Sequence, residues 1–109
     1  MMRVDVMMCM PPEGARSPEA VTRAYEKLYA RNTDEKTYQV IHYFVLQEWK
    51  TPCDSERAPL LCTLGSAVSA LSECDAVYFG HGWEKSYWCM KVERIAKACG
   101  IQVMEEDFE

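Results

Sequence analysis

The stretch from residue 75 to residue 106 constrains the fold of this chain more than any other. The apolar run at 76–79 has the length and composition of a strand that is buried on both faces. A glycine-containing loop follows, and the pattern then predicts a helix over residues 84–99 that Gly100 ends. Residues 101–104 are predicted to form a further strand. A strand, a helix and another strand in this order indicate a parallel βαβ unit.

The earlier part of the chain repeats this alternation. Residues 4–9 form an apolar run that predicts a buried first strand. Ser17 and Pro18 suit the N-cap and first position of a helix that continues to about Ala30. Residues 38–46 are rich in β-branched and aromatic side chains, which predicts a second strand. Apolar residues at helical spacing predict another helix over residues 60–71.

Length and composition then set the class of protein. With 109 residues, the chain is predicted to be a single domain over residues 1–109, large enough for one hydrophobic core. Apolar residues make up 49% and charged residues 27%, values typical of a globular protein. Together with the order of elements, they predict an α/β fold with a small Rossmann-like (flavodoxin-like) parallel sheet flanked by helices.

Charge and hydropathy narrow the choice of partners. The net charge of -5 argues against binding to a nucleic acid polymer or an anionic membrane, since both attract clustered Lys and Arg. The longest uncharged stretch, residues 58–72, contains Gly, Ser and Thr, so no membrane span is expected. The first residues lack the long apolar core of a signal peptide. We therefore expect a cytoplasmic location.

The cysteines and histidines do not form a metal-binding pattern. The six cysteines are Cys9, Cys53, Cys62, Cys74, Cys89 and Cys99. None of them forms a C-x-x-C pair, and we expect them to be buried free thiols that pack as small apolar side chains. His42 and His81 have no ligand partners at metal-site spacing, so neither a metal nor another cofactor is predicted.

The loop after the strand at 76–79 is the first candidate for a binding site. In open α/β sheets, small polar ligands bind in the crevice beyond the carboxyl ends of the strands. The Ser86 hydroxyl and the free backbone N–H groups at a helix start suit a phosphate or a sugar oxygen. The sequence therefore predicts a small-molecule site, most plausibly for a nucleoside or a nucleotide.

Three segments also resemble a known protein family. Residues 6–14 are a strand that runs into a loop with Pro and Gly, and residues 38–49 are the second segment. The most specific is the third, residues 74–100, with Cys-Asp-Ala-Val-Tyr-Phe, then Gly-Trp-Glu-Lys-Ser, then Glu-x-x-Ala-x-x-x-Gly. Together they look like the nucleoside 2-deoxyribosyltransferase-like superfamily, in its small phage- and bacterium-associated branch. The resemblance covers nearly the whole chain.

The resemblance implies an activity and a set of site residues. It implies cleavage or exchange of a nucleoside N-glycosidic bond through a glutamate that attacks the sugar C1′. It places Glu93 as the catalytic nucleophile and Ser86 as a ligand of the sugar or its 5′-phosphate. The loop from Met10 to Gly14 would line the base and sugar pocket. It also implies a homo-oligomer, a dimer or larger, with active sites near subunit interfaces.

Two further residues of the loop at 80–86 complete the predicted substrate-binding set. Gly82 either contacts the substrate or gives the loop the conformation that it needs. Trp83, like Trp88, either stacks on a nucleobase or packs in the core or a dimer interface. His81 either donates to a ligand or is an ordinary surface histidine.

Other features of the chain leave different functions open. Glu93 lies seven residues after Ser86 where the family has six, Trp88 stands where a small residue is usual, and Ala67 replaces a carboxylate of active relatives. Glu93 has an alternative partner in Lys97, and Ser86 has an alternative role as a helix cap. One alternative function is therefore a non-catalytic binder of a nucleotide or a nucleotide-derived signal. Another is an oligomeric scaffold whose site is vestigial.

Overall fold

The elements of the fold alternate between strands and helices. The structure, a computed structural model, describes residues 2–12, 17–46, 62 and 64–106. In chain order the elements are β1 (Met2–Met10), α1 (Pro18–Tyr29), β2 (Lys36–Val45), α2 (64–70), β3 (Ala76–Phe79), α3 (Tyr87–Ala98) and β4 (Gln102–Glu105). Two short 3-10 turns, Leu71–Glu73 and Trp83–Lys85, follow α2 and precede α3.

The four strands form one parallel sheet in the order β2-β1-β3-β4. The chain passes outward from β1 to β2 and then returns to the other side of β1 to form β3. The direction of winding therefore reverses between β1 and β3, which makes the gap beyond their carboxyl ends the topological switch point of the sheet. The predicted small Rossmann-like fold, a parallel sheet flanked by helices, is confirmed.

The sheet is covered by helices on both faces. Side chains of β1 alternate between two buried clusters, one under α1 and one under α2 and α3. The cluster on the α1 face consists of Val4, Val6, Met8, Met10, Ala24, Leu28, Tyr38, Ala76, Tyr78 and Met104. The cluster on the α2 and α3 face consists of Met7, Cys9, Leu46, Ala67, Ala70, Leu71, Cys74, Val77, Phe79, Trp83, Cys89, Val92 and Ala96. Burial on both sides explains the nearly continuous apolar runs of β1 and β3.

Helix α1 begins where its sequence predicts. The Ser17 hydroxyl accepts a hydrogen bond from the backbone N–H of Ala20 at 3.1 Å, and Pro18 occupies the first turn. Ala24 and Leu28, four residues apart, are fully buried against the sheet. The predicted N-cap and the predicted apolar face of this helix are confirmed.

Helix α3 begins three residues later than the predicted start at residue 84. Ser86 has an extended backbone (φ -97°, ψ 118°) and is the N-cap, because its hydroxyl accepts from the Cys89 N–H at 3.4 Å. The buried face of α3 consists of Cys89, Val92 and Ala96. The helical spacing in the sequence predicts burial of Met90, Ile95, Ala96 and Cys99. The prediction is confirmed for Ala96 and wrong for the other three, which are exposed. Met90 and Ile95 lie outside the stripe that the spacing of three and four residues from Cys89 defines, and Cys99 is the C-cap, beyond the last residue of the helix.

The thiols divide between core and surface. Cys9, Cys74 and Cys89 are buried as predicted, whereas Cys62 and Cys99 are exposed, which corrects the expectation for those two. Cys53 lies outside the described residues. No helix within the described ranges has the length and apolar character needed to cross a membrane.

Candidate functional site

The ends of all four strands line up at one edge of the sheet. The Leu46 N–H donates to the Met10 carbonyl at 3.0 Å, and the Gly80 N–H donates to the Cys9 carbonyl at 3.1 Å. The Glu106 N–H donates to the Phe79 carbonyl at 2.9 Å. Each of these bonds extends the strand pairing by one residue, past the ends of β2, β3 and β4 respectively. The segment after β1, the loop after β3 and the residue after β4 are therefore neighbours at the carboxyl edge.

The segments after β1 and β3 approach each other closely. Met10 is only 1% exposed, and a Cβ added to Gly80 would collide with its Sδ and lie 2.7 Å from its Cε. Gly82 has a φ of 85°, in the left-handed region that favours glycine, and a Cβ there would lie 4.0 Å from Cγ of Pro11. Of the predicted pocket residues, Met10 and Gly82 therefore lie together at the switch point. Gly14, also predicted, lies outside the described residues.

The tryptophans pack against the core. Trp83 is 8% exposed, and its ring centroid lies 5.1 Å from that of Phe79. Trp88 is partly buried against the same cluster and makes an edge contact with Tyr87 at 4.9 Å. Both tryptophans therefore pack against the core, which is one of the roles that the sequence left open for them. Stacking of either ring on a nucleobase stays a prediction.

Ser86 joins the loop after β3 to helix α3. Its side chain is 1% exposed, and its hydroxyl is held by the capping bond from Cys89. The 3-10 turn before it brings the chain around, with the Ser86 N–H donating to the Trp83 carbonyl at 3.0 Å. The start of α3 therefore lies at the carboxyl edge, and the helix carries no acidic residue in its first turn.

Glu93 lies further along α3. Seven residues separate it from Ser86, which amounts to a rise of about 10 Å and an angular offset of about 20° from two full turns. Its carboxylate forms an ion pair with Lys97, with 3.3 Å between Oε1 and Nζ, and its side chain is 16% exposed. The role of Glu93 as a catalytic nucleophile stays a prediction. The alternative partner that the sequence offered, Lys97, is the one observed.

The position at which the resemblance implies a carboxylate in active relatives lies in the core. Ala67 is in α2, fully buried in the cluster under α2 and α3. An acidic side chain there would be enclosed by apolar groups. The chain therefore has no carboxylate at this place that could assist proton transfer.

The structure adds a residue to the edge that the sequence analysis missed. Glu106 follows β4 directly, and its side chain is 1% exposed. Its Oε2 lies 3.8 Å from Nε of Arg23 on α1, and its Oε1 has no hydrogen-bond partner within the described part of the chain. Glu106 lies two residues after the buried Met104, so the two-residue period of a strand was the signal that could have identified it.

The thiol at the end of β1 is not chemically activated. Burial in the core, with the nearby Cys89 and Cys74 adding to it, raises the pKa of Cys9 well above its ordinary value. A thiol with a raised pKa carries almost no thiolate at neutral pH. Cys9 therefore acts as a small apolar side chain at the edge and not as a nucleophile.

Neither a metal centre nor a known relative identifies the site. No group of three or more His, Cys, Asp or Glu side chains within residues 2–12, 17–46, 62 and 64–106 could hold a metal ion. Comparisons of the chain with protein-family models, with curated proteins and with solved structures find no match.

Proposed function

We propose that this protein binds a nucleoside or a nucleotide at the carboxyl edge of its sheet, between the ends of β1 and β3. The observation that carries the proposal is the switch point itself. The close approach of Gly80 to Met10, the left-handed backbone of Gly82 and the start of a twelve-residue helix meet there. Doubly wound sheets bind such ligands at this place because the loops there diverge to opposite faces.

The start of α3 suits the phosphate or sugar end of such a ligand. The first backbone N–H groups of a helix have no partners within the helix, and the helix dipole makes this end positive. Ser86 uses its hydroxyl to cap Cys89, so the main-chain donors of the first turn are the groups that would face an anion. Lys85, exposed in the preceding 3-10 turn, adds a positive charge nearby.

Thermal-shift and calorimetric titration with the ribo- and deoxyribonucleoside 5′-monophosphates of the common bases test this proposal. At least one of them is expected to bind and raise the melting temperature. Lys85→Glu should weaken that binding at least five-fold, because it reverses a charge beside the phosphate site. Lys27→Glu is the matched control, since Lys27 is in the last turn of α1, at the opposite edge. No binding by any monophosphate would contradict the proposal.

A second candidate function is cleavage or transfer at the N-glycosidic bond through Glu93. Its support is the resemblance described above, together with the position of Glu93 as an acidic, largely buried residue of α3 about two turns below Ser86. In this scheme the carboxylate attacks the sugar C1′, the base leaves with the bonding electron pair and a proton, and water or a second base resolves the glycosyl-enzyme. The Lys97 pair would have to open first.

Chromatography of free base released from deoxynucleosides and their monophosphates tests this second function. Release is expected from the wild type and not from Glu93→Gln. Glu26→Gln, a change of the same kind at an exposed residue in the second half of α1, should leave release unchanged. If the wild type binds nucleotides without releasing base, the non-catalytic binder is the function that remains.

Two broader proposals concern location and assembly, and the resemblance supports the second. We propose that the protein acts in the cytoplasm and that it assembles as a dimer or a larger homo-oligomer. Sedimentation velocity at several protein concentrations tests the assembly, and a single monomeric species throughout would contradict it.

A further inference from the structure

We propose that Glu106 is a ligand-binding acceptor, which receives a hydrogen bond from an O–H or N–H group of the molecule bound at the carboxyl edge. This inference rests on the proposed function and deepens it, because it specifies what one part of the ligand must offer. The donor is a sugar hydroxyl or a base amine, and it is not a phosphate, which a carboxylate would repel.

The first support is the burial and the hydrogen bonding of the Glu106 carboxylate. Its side chain is 1% exposed, and within the described residues Oε1 has no hydrogen-bond partner. Oε2 lies 3.8 Å from Nε of Arg23, which is beyond the length of a hydrogen bond. A buried carboxylate that lacks hydrogen bonds costs free energy. Such a residue indicates a partner that arrives from outside the folded chain.

The second support is its place in the fold. The Glu106 N–H bonds to the Phe79 carbonyl, so Glu106 is the neighbour of Gly80 across the sheet, and Gly80 is the neighbour of Met10. Gly80 has no side chain between these two neighbours, and the end of the Met10 side chain occupies the space above it. The carboxylate therefore lies on the α1 face of the edge, beside the switch point.

Arg23 offsets the negative charge of Glu106 but does not form a hydrogen bond with its carboxylate. Its side chain is 53% exposed, so it supplies a compensating positive charge from the protein surface. At 3.8 Å it does not donate a hydrogen bond to the carboxylate, so the acceptor capacity of Glu106 is not used by Arg23. Glu105, one residue earlier, points to the other side of β4 and provides a matched comparison with the same charge on the same strand.

Calorimetric titration of the wild type, Glu106→Gln and Glu105→Gln with adenosine, guanosine, cytidine and uridine tests the inference. Glu106→Gln is expected to weaken the binding of a nucleoside at least ten-fold, and Glu105→Gln to change it less than two-fold. Two analogues then separate the donors: 2′-deoxyadenosine lacks a sugar hydroxyl, and purine riboside lacks the base amine. The analogue that lacks the true donor should bind the wild type and Glu106→Gln equally.

A second measurement does not depend on the nucleosides. Because Oε1 of the buried carboxylate has no hydrogen-bond partner within the described residues, Glu106→Gln should melt at the same temperature as the wild type or higher in the absence of ligand. A lower melting temperature would overturn the inference and make Glu106 a structural partner of Arg23. Equal nucleoside binding by the wild type and Glu106→Gln would overturn it and leave the proposed function standing. A wild type that binds no nucleoside or nucleotide would contradict both.

Discussion

At Gly80 the backbone of the edge loop passes so close to Met10 that no side chain fits between them. The substitution Gly80→Ala would push its Cβ into the Met10 Sδ and Cε atoms, which are themselves buried. Overpacking of this kind typically destabilises a protein by about 1–3 kcal/mol. We expect a loss of that size in the free energy of unfolding, measured by urea denaturation.

The control for this substitution is Gly65→Ala in α2. A Cβ at Gly65 meets no atom within 4 Å, and the residue is helical and exposed. Alanine is favoured over glycine in a helix by up to about 1 kcal/mol. Gly65→Ala is therefore expected to raise the free energy of unfolding. A loss of stability in both variants would argue that Met10 is not the reason for glycine at position 80.

The buried thiols predict a loss of stability at alkaline pH. Burial, followed by the charges of Asp5, Glu73 and Asp75, raises the pKa of Cys74 from 9.0 to about 11. The folded state therefore holds this proton more tightly than the unfolded state, and deprotonation favours unfolding. The contribution is fully present below about pH 9 and is lost as the pH rises through about 11.

Urea denaturation at pH 8 and at pH 10 measures this effect. The wild type should lose stability between the two values, and Cys74→Ala should lose less. Cys99→Ala, at an exposed thiol, should keep the wild-type dependence on pH. If Cys74→Ala and the wild type fall equally, the loss comes from other groups, such as Tyr25 and Tyr43, whose pKa values burial also raises.

At the scale of elements, the two serines that cap helices α1 and α3 can be compared, because only Ser86 lies at the proposed ligand site. Ser17 caps α1 and Ser86 caps α3, each by accepting a backbone N–H three residues later. Loss of an N-cap typically costs about 1 kcal/mol. Ser17→Ala and Ser86→Ala should each lose about that amount of stability in urea denaturation. Ser86→Ala should also weaken nucleotide binding, while Ser17→Ala should not.

Local signals predicted the elements well where those signals were unambiguous. Ser17 followed by Pro18 fixes the start of α1, because each residue suits only one place at a helix start. The start of α3 was predicted three residues early, since Glu84 and Lys85 also favour a helix. A 3-10 turn after the left-handed Gly82 delays the helix until Ser86 can cap it. That turn depends on contacts between loops, which periodicity does not contain.

The sequence also predicted part of the candidate site and missed the part that depends on contacts between distant segments. The topology of a doubly wound sheet brings Met10 and Gly82 together, and alternation of elements in the sequence was enough to infer it. The resemblance predicts Glu93 as the nucleophile, and the structure shows it two turns along α3 from Ser86, in an ion pair with Lys97. Its catalytic role stays a prediction. Glu106 was missed because acidic residues after a strand usually form solvated surface, although its place two residues after Met104 fits the two-residue period of that strand.

At the scale of the whole molecule, the two core clusters share the same strands. Met8 and Met10 face α1, while Met7 and Cys9 face α2 and α3, so β1 belongs to both clusters. β3 does the same through Tyr78 and Phe79. If the helices on one face unpack, β1 and β3 become exposed on that side. The cluster on the other face packs against the same two strands, so it is destabilised as well. This coupling indicates that the sheet and its helices unfold together.

Matched leucine substitutions on the two faces test that coupling. Leu28 on α1 is fully buried, and Leu71 after α2 is 3% exposed, so either change to alanine opens a cavity of similar chemistry. Each is expected to lower the free energy of unfolding by about 2–5 kcal/mol. In urea, circular dichroism at the helix band and tryptophan fluorescence should shift together in both variants. Trp83 packs only in the cluster under α2 and α3. If Leu28→Ala moved the helix signal and left the fluorescence transition in place, the two faces would be separate cooperative units.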